Sequence, residues 1–164
     1  MTETDWAGKI RDAREGDVPA VVALYADDPL GRAREQAAEP LPASYWIAFE
    51  AIRADPRHRL VVLDDGEIAA TLQLSFLPHL VRAGTERAQI EAVRVASHRR
   101  GTGLGRALLG WAVEEARQRG CGLVQLTTDA GRPDAHRAYE ALGFTATHVG
   151  MKLELDPAAR HAAL

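Results

Sequence analysis

An α/β fold is the expectation for this 164-residue chain, and three observations carry it. Segments with helical apolar spacing alternate with short apolar runs of strand character along most of the length. An Asp-Gly pair, Asp65-Gly66, joins two of those runs as a hairpin turn would. A glycine-rich segment leads out of one strand and straight into an amphipathic helix. With 46% hydrophobic residues the chain can build one sizeable core, so a single domain is expected over 1–164, its core at about 10–155 and a loose tail at 156–164.

Each element has a local reason. Lys9 to Ala13 reads as a short strand, and Asp17 before Val18, Val21, Val22, Leu24 and Tyr25 reads as an N-capped helix with Pro19 in its first turn. Asp27-Asp28-Pro29 closes it. After the charged stretch from Gly31 to Pro42, Ser44 is the expected cap of a helix carrying Tyr45, Trp46, Phe49 and Ile52. Those aromatics are expected in the core, with the wall of a substrate pocket as the alternative. Leu60 to Leu63 and Ile68 to Leu77 form the hairpin, Pro78 to Glu86 a loop, and Ala88 to Ala96 a strand. Leu104, Ala107, Leu108, Trp111 and Ala112 mark one face of a helix from about Gly103 to Arg119, which Gly120 ends. Leu123 to Thr127 is a compact strand and Pro133 opens a helix through Leu142. Phe144 to Leu155, with Val149, Met151, Leu153 and Leu155 alternating, is expected as a long extended segment.

Composition excludes several classes. A net charge of -3 argues against broad nucleic-acid binding, which needs an extended basic surface. Cys121 is the single cysteine, so no disulfide framework and no cysteine-paired metal site is expected, which suits a reducing cytoplasm. His58 and His98 lack metal-ligand spacing, and no metal is expected. No apolar run is long enough to span a bilayer, and Met1 to Asp17 lacks an apolar signal core.

The segment Arg99-Arg100-Gly101-Thr102-Gly103-Leu104-Gly105-Arg106 has the character of an anion cradle. Its glycines let the backbone turn tightly and bring N–H groups close to a ligand, while the following helix directs its positive end at the same spot. A phosphate-bearing cofactor is the natural occupant. The dinucleotide fingerprint fails, because Arg106 or Leu108 stands where its third glycine belongs, and the phosphate loop ending in Gly-Lys-Ser or Gly-Lys-Thr is absent.

Arg100-x-x-Gly103-x-Gly105, preceded by Val93-x-Val95 and followed by Ala138-Tyr139-Glu140-Ala141-Leu142-Gly143-Phe144, resembles the GNAT superfamily of N-acetyltransferases. The likeness spans roughly Ile10 to Leu155 and is sharpest from Ile90 to Phe144. It implies a mixed central β-sheet with helices on both faces, splayed between the fourth and fifth strands. It also implies an enzyme that takes acetyl-CoA as acyl donor and a primary amine as acceptor. By that resemblance the donor is held by Val93, Arg94 and Val95 along its pantetheine arm and by Arg100, Gly101, Thr102, Gly103, Leu104, Gly105 and Arg106 at its pyrophosphate. Asp134 lies where many members carry an asparagine that contacts the arm. From Val95 back to Glu91 is about 13 Å at roughly 3.3 Å per residue, comparable with a pantetheine arm. The thioester is therefore expected near Glu91 and Val93.

At neutral pH a lysine-like amine must shed a proton, at a cost of about 4.6 kcal/mol. Glu91 is the first candidate base, directly or through water, since an inward carboxylate beside an apolar strand is drawn toward neutrality. Gln89 shares its side of an ideal strand and is where several family members carry the carboxylate; a bulge would change which side chains face the site. His79, His136 and His148 are reserve bases. Tyr139 matches the family tyrosine that protonates the leaving sulfur, and a phenol keeps its proton at pH 7. Family members end in two hairpin-joined strands, whereas 144–155 offers one, so an open edge filled by a second copy, a homodimer, is a further expectation. A small-molecule acceptor is favoured over a protein N-terminus or lysine; the contrasting class is a non-catalytic acyl-CoA-binding regulator.

Overall fold

A computed structural model describes residues 6–28 and 31–155. They group into two compact units, the first ending at Leu126 and the second beginning at Thr127. The expected loose tail from Pro157 to Leu164 lies outside the described residues.

The first unit is built on a five-stranded sheet in the order β1 (Ile10–Asp12), β2 (His58–Asp64), β3 (Ile68–Leu77), β4 (Arg87–Val95) and β5 (Leu123–Leu126). Strands β1 to β4 are antiparallel neighbours, whereas β4 and β5 run parallel. Between β3 and β4 the expected loop holds one short turn, α3 (Val81–Gly84), in which Arg82 and Ala83 are left-handed, whereas the parallel pair needs a crossover, which helix α4 (Leu104–Gln118) supplies. The mixed sheet with helices agrees with the expected fold. Pairing of β4 with β5 stops after Ile90 and Leu126, which leaves the rest of β4 without that neighbour and produces the splay.

Helices cover both faces. Leu60 and Val62 of β2 pack with Val18, Val21 and Val22 of α1 (Val18–Ala26) and Phe49 of α2 (Ala43–Ala54). Leu104, Leu108, Leu109, Ala112 and Ala116 form the buried stripe of α4, which lies against β3, β4 and β5. Residues directly opposite in an antiparallel ladder share a face. His58, Leu60 and Val62 therefore put Ser75, Gln73 and Thr71 on the α1/α2 face.

Three local expectations are corrected. Asp17 precedes α1 but makes no side-chain cap; Arg11 takes its carboxylate at 2.6 Å and the Arg14 amide donates to it at 2.7 Å. A guanidinium and a nearby main-chain amide outcompete a helix amide. Ser44 lies inside α2, whose cap position is Pro42, because the proline presets an extended entry two residues earlier. Residues 144–155 form no strand, and Val149, Met151, Leu153 and Leu155 are between 73% and 93% exposed. Alternation shows that a segment can present an apolar face, but only a ladder partner makes it a strand. Among the described residues no helix is long and apolar enough to cross a membrane.

In the second unit, α5 (Pro133–Glu140) runs into a turn closed by Gly143, whose φ of 91° is a conformation side chains resist. The Phe144 amide donates to the Tyr139 carbonyl at 3.1 Å, and the two rings meet edge to face at 6.1 Å.

Candidate active site

Strand β4 contains one residue too many for its partner. Gln73 pairs with Glu91 and Thr71 with Arg94, so two steps along β3 match three along β4. Ala92, at φ 53°, takes up the surplus as a bulge. Gln73 and Thr71 point to one face, hence Glu91 and Arg94 do as well; in a regular strand, residues three apart would point to opposite faces. The bulge redirects the side chains beyond it, as expected of one in this strand, so that Gln89, Glu91 and Arg94 all turn to the α1/α2 side. Gln89 is engaged by the Gln125 amide, whereas Glu91 is exposed.

Val95 faces α4. A Cβ on Gly105 would sit 3.4 Å from its Cγ2, so that glycine sets the close approach of helix to strand. After β4, the chain turns through Ser97–Arg99 and enters the glycine segment, where Gly101 and Gly103 hold φ values of 77° and 89°. Such values cost other residues about 1–2 kcal/mol, which explains glycine at both positions. Gly103 is the N-cap of α4 and no side chain caps that end. The first-turn amides of a helix have no intrahelical acceptor, so this end presents donors and the positive end of the dipole together.

The arginines divide. Arg99 is tied to the β2–β3 turn, with Nη2 at 2.7 Å from Asp65 and Nη1 at 3.0 Å from Glu67. Arg100 and Arg106 are exposed, the former reaching the carbonyls of Val95 at 3.3 Å and Asp27 at 3.4 Å. Thr102 uses its hydroxyl on the Arg99 carbonyl at 2.6 Å, which stiffens the turn. Leu104 is buried, so its contribution to a ligand would be its amide. Arg94 donates to the Val93 carbonyl at 2.8 Å and directs another nitrogen toward Asp28.

On the α1/α2 face, Val18, Val21, Val22, Ala48, Phe49, Ile52 and Leu60 surround a hollow of about 150 Å³ with a polar rim of Tyr25, Tyr45 and Gln73. Gln73 is the ladder partner of Glu91, which sets the exposed carboxylate beside this rim. Burial pushes the Tyr25 phenol up to about 12, so it remains protonated at neutral pH. Tyr45 holds the preceding loop: its hydroxyl donates to Glu35 at 2.7 Å and accepts from the Gln36 amide at 3.0 Å. Tyr45, expected as core or as the wall of a substrate pocket, packs against the buried cluster and also lines this hollow, whereas Tyr25 and Gln73 join its rim with no motif to single them out. Gln73 is one of three alternating polar residues, with Thr71 and Ser75, in an otherwise apolar strand, and only the register shows what it faces. A larger hollow of about 300 Å³, lined by Asp12, Phe49, Asp55, His58 and Arg59 among others, lies at the other end of α2. Its Arg59 is committed to Asp12 at 2.8 Å, to Glu115 and to the Trp111 ring at 5.0 Å.

The second unit carries Tyr139, half-buried on α5, and Asp134, exposed in its first turn and paired with Arg137. The reserve histidines serve local turns: His79 meets the Val81 carbonyl at 2.9 Å, His136 that of Asp129 at 3.0 Å, and His148 the Thr147 hydroxyl at 2.8 Å. Burial and the nearby Glu86 carboxylate push the Cys121 thiol up, which suits a packing role. Among the described residues no cluster of histidine, cysteine or carboxylate groups could hold a metal ion.

Residues 18–144 match the model of the acetyltransferase (GNAT) family. The aminoalkylphosphonate N-acetyltransferase of Salmonella typhimurium is 38% identical over 141 residues, which cover 85% of this chain and 86% of that one. The streptothricin acetyltransferase of Streptomyces lavendulae is 37% identical over 92 residues, or 56% of this chain and 46% of that one. A solved structure described as a transcriptional regulator from Bacillus halodurans C-125 superimposes with a TM-score of 0.87 at 50% identity, covering 89% of this chain and 98% of that one.

Proposed function

The chain belongs to the acetyltransferase (GNAT) family, and from that premise we propose that it moves an acetyl group from acetyl-CoA to the primary amine of a small molecule by direct attack in a ternary complex. One observation carries this reading: the end of β4 freed from β5 leads, through the turn at Ser97–Arg99, into a helix N-terminus shaped by two left-handed glycines. A row of strand amides followed by a diphosphate-sized cradle fits an extended thioester with a phosphate tail.

Val93, Arg94 and Val95 are assigned to the pantetheine arm through their main chain. Arg100, Gly101, Thr102, Gly103, Leu104, Gly105 and Arg106 are assigned to the diphosphate, and Asp134 to the arm as an acceptor. Bound there, the donor supplies an activated carbonyl and a sulfur leaving group. Glu91 takes the proton from the acceptor ammonium, directly or through a water, and main-chain N–H groups at the bulge stabilise the negative oxygen that develops. Tyr139 donates its phenolic proton to the departing sulfur.

The hollow rimmed by Tyr25, Tyr45 and Gln73 is the assigned acceptor site. Its size suits a small molecule rather than a folded protein surface, and the named small-molecule enzymes among the relatives support that choice. A cytoplasmic setting, and a homodimer formed through the exposed run 149–155, belong to the same reading; a monomer at micromolar concentration would remove the homodimer. The likeness to a structure described as a transcriptional regulator favours one second reading, an acyl-CoA sensor without turnover.

Thiol release from acetyl-CoA over a panel of aminoalkylphosphonates, aliphatic amines, streptothricin-class antibiotics and peptides separates these. Release with small amines and not with peptides is expected. Release with peptides alone would transfer the acceptor to protein, and tight acetyl-CoA binding with no release from any amine would favour the sensor. Tyr139→Phe should lower kcat by about 100-fold while keeping acetyl-CoA affinity. Unchanged turnover would end its assignment as acid, and an unaltered pH–rate profile in Glu91→Gln would end that of the base.

A further inference from the structure

Helix α1 ends in two consecutive carboxylates that reach two different points along one strand and the turn after it. The Asp27 carboxylate accepts the Ser97 amide at 2.7 Å, and hydrogen bonds from that amide and the Ser97 hydroxyl hold it below the usual carboxylate range. Asp28 is 6% exposed, accepts the Gly31 amide at 3.1 Å and lies 3.8 Å from Arg94. Gly31 is locked in turn, since a Cβ there would come within 1.9 Å of the Tyr25 carbonyl oxygen. Arg94 and Ser97 bracket Val95 and Ala96, the last step before the cradle.

Burial of an ion pair seldom adds net stability, because desolvation offsets most of the attraction; its better-attested use is to fix one arrangement against others. Here the arrangement is the bulge. Only with Ala92 inserted does the Arg94 side chain reach the α1/α2 face where Asp28 lies, so the pair selects the bulged register over a regular one. Asp27 fixes the next turn from the same two-residue base, and the Arg100 side chain bridges the carbonyls of Asp27 and Val95 across it.

We propose that Asp27 and Asp28 form a two-pronged clamp that positions the donor site: Asp28, through Arg94, holds the bulged stretch of β4, and Asp27, through Ser97, holds the turn into the glycine segment. Both are positioning residues, acting through groups that would touch the donor. The inference rests on the acetyltransferase reading and goes beyond it by joining the arm site and the diphosphate site into one unit set by the end of α1.

The test is titration calorimetry with CoA, with thermal unfolding measured on the same samples. Asp28→Asn and Asp27→Ala should each weaken CoA binding about tenfold, the scale of one hydrogen bond to a charged group, and the double variant about 100-fold. Arg94→Gln should behave as Asp28→Asn does. Arg94→Lys and Asp27→Asn, which keep the charge or the acceptor oxygen, should recover most of the affinity. The KM for the amine should stay unchanged in the Asp27 variants, whose side chain reaches Ser97. Val62→Ala, a buried change in β2, should lower the unfolding temperature without altering CoA affinity. CoA affinity equal to that of the unaltered chain in Asp27→Ala and Arg94→Gln would overturn the clamp, as would an equal loss in Val62→Ala at matched stability. If Asp28→Asn fails to fold, the less buried Asp27 prong decides the matter alone. A chain that does not bind CoA at all would overturn the acetyltransferase reading and the clamp together, whereas CoA binding that the variants leave intact would overturn the clamp only.

Discussion

Residues 87–90 and residues 91–95 lie on one strand, yet the first stretch is closed on both sides while the second is open on one. Arg87 to Ile90 pair with β3 and with β5, Ala88 and Ile90 are buried, and the Gln89 and Gln125 side chains link across the parallel pair. Among the described residues Glu91 to Val95 keep only β3 as ladder neighbour, carry the bulge, and lead to the glycine segment. The closed half anchors the sheet, and the open half is the stretch to which the donor arm is proposed to bind. One surplus residue and one early strand end make the difference, with no change in the kind of side chain that fills the strand.

Substitutions at the two halves should therefore separate stability from binding. Ile90→Ala, in the closed half, is expected to cost about 2–5 kcal/mol in urea unfolding while leaving CoA affinity of the folded chain near its original value. A parallel collapse of affinity would show that the halves do not act separately. Gly103→Val, beyond the open half, forces a β-branched residue to φ 89° and should cost about 1–2 kcal/mol together with a marked loss of CoA affinity by calorimetry. Retained affinity would mean that the cradle does not depend on its left-handed turn. At the junction, Ala92→Gly relieves a left-handed alanine and should raise stability by up to about 1 kcal/mol, with Ala92→Val moving the other way. The smallest effect concerns neither half. Asp17 is held below its ordinary value of 3.8 chiefly by its hydrogen bonds to Arg11. A carboxylate with a lowered folded pKa adds stability that is present above that ordinary value and lost as pH falls through the lowered one. Unfolding temperature should therefore drop below about pH 4 in the unaltered chain, and less steeply in Asp17→Asn.

Much of the fold was legible because local patterns and tertiary placement agree. The Asp65-Gly66 turn, the stripe of α4 and the closing Gly120 each carry their instruction in a few adjacent residues. The turn before α4 was legible for the same reason: Gly101 and Gly103 take left-handed backbone angles that other residues resist. Asp17 and Ser44 misled because a cap is decided by competition, and the winning partners, Arg11 and Pro42, act through geometry that propensity does not contain. The run 144–155 misled because alternation is a property of one segment while a strand is a property of two.

The sequence by itself determined the alternation of elements, the turn glycines and the family, since these depend on residue type at short range. Only the tertiary structure decided that Glu91 and Arg94 share a face, that Gln73 stands opposite Glu91, and that Asp27 and Asp28 reach Ser97 and Arg94. Each of those facts is a register or a long-range contact. The free energy that selects it comes from burial and pairing between segments up to 70 residues apart, which no local pattern records.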